Sequence, residues 1–403
     1  MKTVILIMLS GVLAGCATQP EPTGPLDGAP PDSMVALSLS RPLTMSSMLH
    51  LYRPSVEQWP ASLEMLAALQ PTLVGRAAVI WGWEHIMLRS LGGMRSRVAA
   101  LHAVVPGAVV QGCIFEFISR DVEEVMIPAH VLEAFGLPPE PRPYRFEDMV
   151  SRDQPQWFPG WGESAAVPDI TRLEAQLWFF HLATLYLDAG LEAIHLGNLE
   201  RMASHDRGLD VTEALLSRIR DHAAEHARRG WVLLDAHTHG MVRSGRLLLD
   251  FHSFPLRPRE DGDPEHQDVV LERGFQDAIY GRSLGGITPG GTRVVRQRFL
   301  VEVDNGYAGP TSGGCDLPEC VWGSDEITWF AAQPSHRRDE LLIYFWHRVP
   351  ELDPRGRFQA PGVRGLQSLL HGGCPEYLMH DPERLTCGQG QEATLGALWA
   401  GTR

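Results

Sequence analysis

Residues 171–255 alternate between apolar segments of helical and of extended character. Thr171 and Glu174 have the spacing of a capping box and predict the start of an apolar helix that ends at Gly190. A second helix is predicted for residues 210–230, where apolar positions recur at helical spacing. Short apolar runs that end in polar residues follow both helices. This pattern is typical of a parallel α/β protein, in which functional residues collect at the carboxyl ends of the strands.

The same alternation extends over most of the chain and predicts eight strands. They lie at residues 35–39, 77–84, 109–118, 193–197, 231–234, 247–249, 298–304 and 326–331, with further helices at 55–70, 85–102, 268–280 and 339–349. The prediction is therefore an α/β fold, a single (β/α)8 TIM-barrel-like domain over residues 33–350. Only residues 238–245 separate strands five and six, so these strands are either parallel neighbours or a hairpin that turns at residues 243–245.

Two segments depart from this alternation. Residues 119–169 follow strand three, are rich in proline and aromatic residues, and have weak periodicity. Because long connections are commonly functional, this insertion is expected to form a lid or a subsite wall; the alternative is a structural insertion with its own small apolar cluster. Residues 351–403 are rich in glycine and proline and are expected to form a C-terminal cap.

The first sixteen residues have the pattern of a processing signal. Lys2 supplies positive charge, residues 4–13 are apolar, and small residues lead to Cys16. This segment resembles the lipobox of bacterial lipoproteins. The resemblance implies a signal peptide at residues 1–15, a lipid on Cys16, and anchoring to a membrane outside the cytoplasm, at the outer membrane or in the periplasm; an ordinary secretion signal with a chance cysteine is the alternative. Residues 16–32 are then a flexible tether, and no other segment has the ~18 apolar residues of a membrane span.

Composition and charge narrow the range of partners. The chain has 403 residues, of which 44% are hydrophobic and 21% charged, as in ordinary globular proteins. Its net charge of −14, without a basic block, argues against nucleic acid as a partner. Export permits disulfides, and we expect two among Cys315, Cys320, Cys374 and Cys387 with the pairing left open, whereas Cys113 lies in an apolar run and is expected to remain a buried free thiol.

Polar side chains occur at the carboxyl ends of six of the eight predicted strands. They are Glu84, Glu116, Asn198 with Glu200, Asp235 with His237 and His239, Asp250 with His252, and Glu302 with Asp304 and Asn305. In a barrel these ends meet at one mouth, where acids brought together require a ligand, protons or a cation. The convergence predicts a functional site at that mouth.

A barrel with Asn198 and Glu200 after strand four and Glu302 on strand seven resembles the clan of retaining glycoside hydrolases whose catalytic glutamates occupy those two strands. The resemblance implies that Glu200 is the general acid/base and Glu302 the nucleophile of a hydrolase that acts on a polysaccharide or glycoconjugate without a cofactor. Such chemistry requires two carboxylates ~5–5.5 Å apart. In the clan the asparagine and glutamate are adjacent, whereas Leu199 separates them here, and Asp304 is a rival nucleophile.

The expected sugar subsite contains further strand-end residues together with tryptophans, whose indole faces stack on sugar rings; burial in the core is the alternative for each tryptophan. Its members are Glu84, Glu116, Asn198, His237, Asp250, His252, Asp304, Trp81, Trp83 and Trp329.

Two other functions remain open. Residues 235–239 resemble the Asp-x-His-x-His strand end of metal-dependent amidohydrolases, which implies a hydrolase with Asp235, His237 and His239 as metal ligands. That family carries the motif on its first strand, whereas the motif is on the fifth predicted strand here. The third hypothesis is a surface lipoprotein that binds glycans without turnover.

Overall fold

The computed structural model describes residues 24–52, 55–152, 155–158, 160–261, 268–274, 279–304, 325–366 and 374–401. The predicted signal peptide, Cys16, Asn305, Cys315 and Cys320 lie outside these residues. Cys374 and Cys387 form one of the expected disulfides, and Cys113 is a buried free thiol, as predicted. None of the helices in the described ranges combines the length and the hydropathy that crossing a membrane requires.

Eight parallel strands close into a barrel, which confirms the predicted (β/α)8 fold. Each strand hydrogen-bonds to the next in chain order, strand eight pairs with strand one, and a parallel bridge between His237 and Ser253 joins strands five and six. The strands are, in order, Pro42–Met45, Leu73–Ala78, Val109–Cys113, Ala193–His195, Leu233–Asp235, His252–Pro255, Phe299–Glu302 and Gly356–Gly365.

Eleven α-helices lie in the described part of the chain. They are α1 (Asp32–Ser38), α2 (Ser55–Leu69), α3 (Glu84–Ser90), α4 (Met94–Val104), α5 (Ala129–Ala134), α6 (Leu173–Asp188), α7 (Leu199–Met202), α8 (Asp210–His226), α9 (Glu326–Ala332), α10 (Ser335–Leu352) and α11 (Glu392–Ala400). Four predicted helices correspond to α2, α6, α8 and α10. The helix predicted at 85–102 is interrupted by a turn at residues 91–93.

Shorter elements lie in the connections. Across the insertion after strand three, Ile118–Ser119 pairs with Ala165–Ala166. The others are strands Val242–Arg243, Arg246–Leu247, Arg259–Asp261, Asp268–Val270, Gly286–Ile287, Arg293–Val294 and Glu376–Leu378, and the 3₁₀ helices Arg120–Glu124, Phe146–Asp148 and Gly162–Ser164. The predicted helix at 268–280 is therefore wrong at residues 268–274, which form a strand and a turn.

Strands five and six are parallel neighbours, and a hairpin lies in the connection between them. Val242–Arg243 and Arg246–Leu247 form the hairpin, but it belongs to a separate four-stranded sheet. Strand six of the barrel follows at His252–Pro255, so the strand predicted at 247–249 is placed too early. The excursion through the hairpin gives the chain enough length to return for a parallel neighbour.

The first predicted strand, at residues 35–39, is helical. Val35 and Leu39 are buried while Leu37, between them, is 54% exposed, which fits a helix and not a strand, in which all three side chains would share one face. Strand one follows at Pro42–Met45. Strand two, Leu73–Ala78, by contrast begins earlier than the predicted 77–84.

The last predicted strand, at residues 326–331, is helix α9. The Asp325 side chain caps this helix by accepting a hydrogen bond from the Thr328 N–H, 3.4 Å away. Strand eight is Gly356–Gly365, which lies within the segment predicted as a C-terminal cap and supplies the pairing that closes the barrel. Its polar and glycine-containing sequence conceals the strand from a search for apolar runs.

Helix α1 closes the amino-terminal end of the barrel. Val35 and Leu39 pack in a cluster with apolar residues from the starts of six strands, namely Leu73, Val109, Ala193, Leu233, Phe251 and Leu300. The chain before α1 is also attached there, since Leu26 N–H donates to Pro289 O (2.8 Å) and Gly28 O accepts from Val232 N–H (3.0 Å). Residues 24–31 of the predicted tether are thus docked on the barrel.

Candidate active site

Glu302, the last residue of strand seven, lies in a buried ionic cluster at the carboxyl end of the barrel, with 5% of its surface exposed. Arg76 of strand two donates from Nε to Glu302 Oε1 at 2.7 Å, and Arg364 of strand eight is 3.6 Å from Oε2. Thr44 of strand one donates its hydroxyl to Oε2 at 2.9 Å and in turn accepts from Gln359 Nε2 at 2.7 Å. Three neighbouring strands therefore fix one carboxylate in position.

Asp304 shares both arginines with Glu302. Arg76 Nη2 is 3.2 Å from Asp304 Oδ2, and Arg364 Nη2 contacts Oδ1. Burial by itself would raise the pKa of Asp304, but Arg76 and Arg364 outweigh burial and hold this pKa well below its ordinary value. The site therefore carries a permanent carboxylate charge that two guanidinium groups balance.

The Arg76 backbone has a left-handed conformation, with φ of 56°, where the register between strands two and three is irregular. Such a conformation costs a residue other than glycine about 1–3 kcal/mol and persists only where the surroundings enforce it. Gln111 contributes by accepting from the Arg76 N–H at 3.2 Å. The adjacent Gly75 is required for space, because a Cβ there would lie 2.2 Å from Gln359 Nε2.

A second polar group occupies strands three to six. Asp235 accepts hydrogen bonds from Gln111 Nε2 (2.7 Å) and Ser253 Oγ (2.8 Å), and its Oδ2 is 2.8 Å from His195 Nδ1. The Asp235 carboxylate orients His195 by favouring a proton on Nδ1, the nitrogen that faces it, and Nε2 lies on the other side of the ring. This Nε2 is buried without a hydrogen-bond partner among the described residues, and the ring centroid of His195 is 4.7 Å from that of His237.

His237 connects the two groups. Its ring nitrogen and carboxylate oxygens of Glu302 and Asp304 lie within 4.8 Å of one another. Burial, with further contributions from His195 and Arg76, lowers the pKa of His237 well below 6.5, so the imidazole is neutral. Its Nε2 also has no hydrogen-bond partner in the described part of the chain. Unsatisfied buried imidazoles beside a charged cluster indicate a place for a polar ligand.

The structure does not bring together the ligand set of the metal hypothesis. Asp235 is engaged with His195, and among the described residues Asp235, His237 and His239 do not form a group of three close ligand atoms. His237, Glu302 and Asp304 do, but Arg76 and Arg364 already bind those carboxylates. Two guanidinium groups in contact with the same two carboxylates oppose the binding of a further cation.

A third carboxyl group, that of Glu326, lies near Asp304. Its pKa is raised, whereas that of Asp304 is lowered. Glu326 is fully buried at the start of α9 and forms an ion pair with Arg257. Burial raises the pKa of Glu326 to about 7, although Arg257 acts in the other direction. The Ile327 N–H donates to Asp304 O at 3.3 Å and ties this helix to the cluster. A carboxyl whose pKa is raised toward neutral pH, close to one whose pKa is lowered, is the arrangement of an acid/base pair.

Glu200 lies in the turn that follows strand four. Asn198 caps α7 by accepting from Arg201 N–H (3.1 Å), and its own N–H donates to Glu116 Oε2 (2.8 Å). Glu200, in the first turn of α7, is exposed and accepts a hydrogen bond from the Thr238 hydroxyl. Thr238 immediately follows His237, so Glu200 contacts the end of strand five beside the residue that approaches Glu302.

Two predicted subsite acids make structural contacts elsewhere. Glu84 is buried and accepts from the Ser119 N–H (2.8 Å) and hydroxyl at the base of the insertion, and burial raises its pKa. Asp250 accepts from Leu234 N–H (2.8 Å) and pairs with Arg220 of α8 at 2.9 Å, which ties the helix to the sheet.

One predicted tryptophan and two predicted histidines pack against apolar or aromatic side chains. Trp329 packs in the hydrophobic core through α9. His252 is fully buried, with its ring 5.7 Å from that of Phe299. Its side chain lies on the opposite face of strand six from Ser253, whose hydroxyl contacts Asp235. His239 is half-buried, with its ring 5.0 Å from that of Phe254.

An aromatic cluster lies where strands two and three end. Trp81 is stacked on Phe117, with ring centroids 5.0 Å apart, and meets Phe158 of the insertion edge-on. Trp83 is 53% exposed and contacts Trp161, also of the insertion, at 5.5 Å. The insertion thus supplies one side of an aromatic wall beside the strand ends.

No protein-family model and no curated protein matches the sequence. The structure is similar to a maltogenic alpha-amylase from Thermotoga neapolitana (10% identity, 54% of this chain and 49% of that chain, TM-score 0.35) and to an alpha-galactosidase from Thermus thermophilus (15%, 53% and 39%, 0.33). It is also similar to a dextranase from Flavobacterium johnsoniae (11%, 57% and 28%, 0.35). The aligned part spans half or less of each of those chains.

The residues that organise the site include several that sequence patterns did not single out. They are Arg76, Arg364, Thr44, Gln359, Gln111, His195 and Glu326. A charged or amide side chain within an otherwise apolar strand was the available signal for Arg76, Gln111 and His195, since such a residue must find a partner in the barrel interior.

Proposed function

We propose that this chain is a glycoside-hydrolase-like enzyme that cleaves or remodels a polysaccharide or glycoconjugate. The observation that most supports it is the carboxylate of Glu302, which Arg76, Arg364 and Thr44 fix at the carboxyl end of strand seven. A buried ionic network of this kind costs desolvation and rarely gains stability over an apolar core, so its presence favours a catalytic role.

In the proposed reaction Glu302 is the nucleophile. One of its oxygens bonds to the anomeric carbon while the bond from that carbon to the leaving-group oxygen breaks, and the Glu200 carboxyl gives its proton to the departing oxygen. Water then attacks the glycosyl-enzyme, the Glu200 carboxylate takes the water proton, and Glu302 is released. His237, neutral and within 4.8 Å of the Glu302 group, is suited to hydrogen-bond a sugar hydroxyl.

The aromatic wall supports a sugar as the substrate. Trp81, Trp83 and Trp161 lie together between the strand ends and the insertion, and an exposed indole face is a stacking surface for a pyranose ring. Residues 119–169 would accordingly shape the subsites, as one of the two expectations for this segment has it.

Glu302→Gln and Glu200→Gln should each lower kcat/KM on a hydrolysed glycan or aryl glycoside by about 100-fold or more, since each removes a group used in bond cleavage. Exposed Glu225 of α8 provides the matched control, and Glu225→Gln should retain parent activity. Near-ultraviolet circular dichroism must show that the Glu302 variant is folded. Parent-like turnover by a folded Glu302→Gln protein would refute the proposal.

Azide, a small external nucleophile, distinguishes the two roles. With an activated aryl glycoside, azide should restore turnover of Glu302→Ala and give a glycosyl azide of inverted configuration, whereas with Glu200→Ala the azide product should retain configuration. If Glu326→Gln, and not Glu200→Gln, shows a loss of kcat/KM that grows with the pKa of the leaving group, the proton donor is Glu326 on α9. Glycan affinity that survives both glutamine substitutions, without turnover by the parent, would identify a glycan-binding protein.

We further propose that the protein is lipid-anchored outside the cytoplasm through Cys16, on the basis of the lipobox. Cys16→Ser should move the protein from the membrane fraction to the soluble fraction of the cell envelope, because the thioether that carries the lipid cannot form. Fractionation on detergent-free gradients measures this, with Cys113→Ser as the control that leaves the signal intact. Equal membrane association of parent and Cys16→Ser would rule out the anchor.

A further inference from the structure

A group of metal-ligand side chains lies on the outside of the barrel, apart from the ionic cluster around Glu302. His222 and His226 are one turn apart on α8, and Asp188 is the last residue of α6, the helix packed against α8. One ligand atom from each of these three residues lies within 4.8 Å of the other two. We propose that Asp188, His222 and His226 form a binding site for a divalent transition metal, and zinc is the ion with which the site is tested.

The geometry is that of a preformed site. The imidazole rings of His222 and His226 are stacked with centroids 4.2 Å apart, so their nitrogens project from the same face of the helix. Asp188 Oδ1 is 2.9 Å from His222 Nε2, which restrains the rotamers of both side chains before a metal arrives. The Phe180 ring, 5.9 Å from that of His222, packs edge-on against it and further restricts its orientation.

The ligand chemistry selects the class of ion. Two imidazoles and one carboxylate match zinc, copper and nickel, whereas calcium and magnesium prefer sites made of oxygen alone. His222 is half-buried while Asp188 and His226 are exposed, so an ion can reach the site from solvent and keep a water as its fourth ligand. The carboxylate of Glu225 is 3.8 Å from His226 Nε2 and adds negative charge beside the site.

The metal would join two helices that are separate in sequence. Asp188 ends the helix before strand four, and the two histidines lie in the helix before strand five. An ion that binds only when α6 and α8 are docked stabilises the folded state by mass action. The expected role is therefore a clamp between neighbouring helices, independent of the chemistry proposed at the mouth.

Equilibrium dialysis and calorimetry with ZnCl₂ on the tag-free, full-length chain test the site. The parent should bind one zinc at this site at neutral pH and show a rise in Tm with zinc that disappears on chelation. His222→Gln with His226→Gln should abolish this binding, and Asp188→Asn should weaken it by about tenfold. The matched control is His336→Gln with His347→Gln, two exposed histidines of α10 that are too far apart in sequence to share an ion.

His237→Gln separates this site from the mouth, where His237 lies near Glu302 and Asp304. It should leave zinc stoichiometry and the zinc-dependent Tm shift unchanged. Unchanged zinc binding by the His222/His226 double variant, loss of that binding in His237→Gln, or absence of zinc binding by the folded parent at micromolar to millimolar zinc would each overturn the proposal. Because none of these measurements uses glycan turnover, the result does not depend on the proposed hydrolase activity.

Discussion

Replacement of Arg364 by methionine should lower the free energy of unfolding by about 3–5 kcal/mol. Arg364 is buried and contacts both Glu302 and Asp304, so its loss leaves two buried carboxylates with Arg76 as the remaining arginine of the cluster. Methionine preserves much of the side-chain volume, so the effect reports charge and not a cavity. Urea titration followed by circular dichroism measures the change.

A surface arginine gives the comparison for Arg364. Arg348→Met removes an exposed pair with Glu351, three residues along α10, and should change the free energy of unfolding by at most about 0.5 kcal/mol. Adding Asp304→Asn to Arg364→Met should restore part of the loss, because it removes one of the uncompensated charges. An Arg364→Met effect as small as that of Arg348→Met would mean that the cluster is open to water and that its charges are screened.

Acid should unfold the protein cooperatively between about pH 6.5 and pH 4. Burial lowers the pKa of His50, His181 and His380 to about 4 and that of His252 to about 3. The unfolded chain takes up these protons near pH 6.5, so it binds more protons than the folded chain throughout this window. The contribution of these histidines to stability is therefore fully present above pH 6.5 and declines as the pH falls, by up to about 1.4 kcal/mol per pH unit for each histidine.

The substitution His380→Gln isolates the contribution of one buried histidine to this pH dependence. Glu326, with a pKa raised to about 7, acts with the opposite sign between about pH 4.5 and 7, because the folded chain then holds the extra proton. The difference between parent and His380→Gln is therefore the useful quantity, and the variant should show a shallower decline of unfolding free energy with acid. His336→Gln, at an exposed position, should follow the parent curve. Identical slopes for all three proteins would contradict a buried neutral His380.

The sequence predicted the barrel best where helices and strands are separated by clear boundaries. Strands four, five and seven are short apolar runs between well-marked connections, and all three lie where the pattern put them. Strand one has only four residues and strand eight carries glycine, arginine and glutamine, so neither gives an apolar run. The segments predicted as strands one and eight, residues 35–39 and 326–331, instead lie in the short apolar helices α1 and α9.

The candidate site was harder to predict, because its contacts join residues far apart in the chain. Glu302 and Asp304 were identified from their position at a strand end, but the side chains that hold them come from Arg76 and Arg364. An arginine in a strand has the same sequence appearance whether it faces solvent or the barrel interior. At Arg76 the interior orientation depends on a left-handed backbone that no periodicity reveals.

Helix α1 closes the amino-terminal end of the barrel, and this position fixes how an anchored molecule would be oriented. The chain enters the fold at the amino-terminal end, where Gly28 meets Val232, and Glu302 lies at the opposite end of strand seven. From Cys16 to Gly24 the polypeptide spans at most about 28 Å. For a protein held through Cys16, the bilayer would lie close to the amino-terminal end of the barrel. The carboxyl end would then face outward, where a long polymer can approach without encountering the membrane.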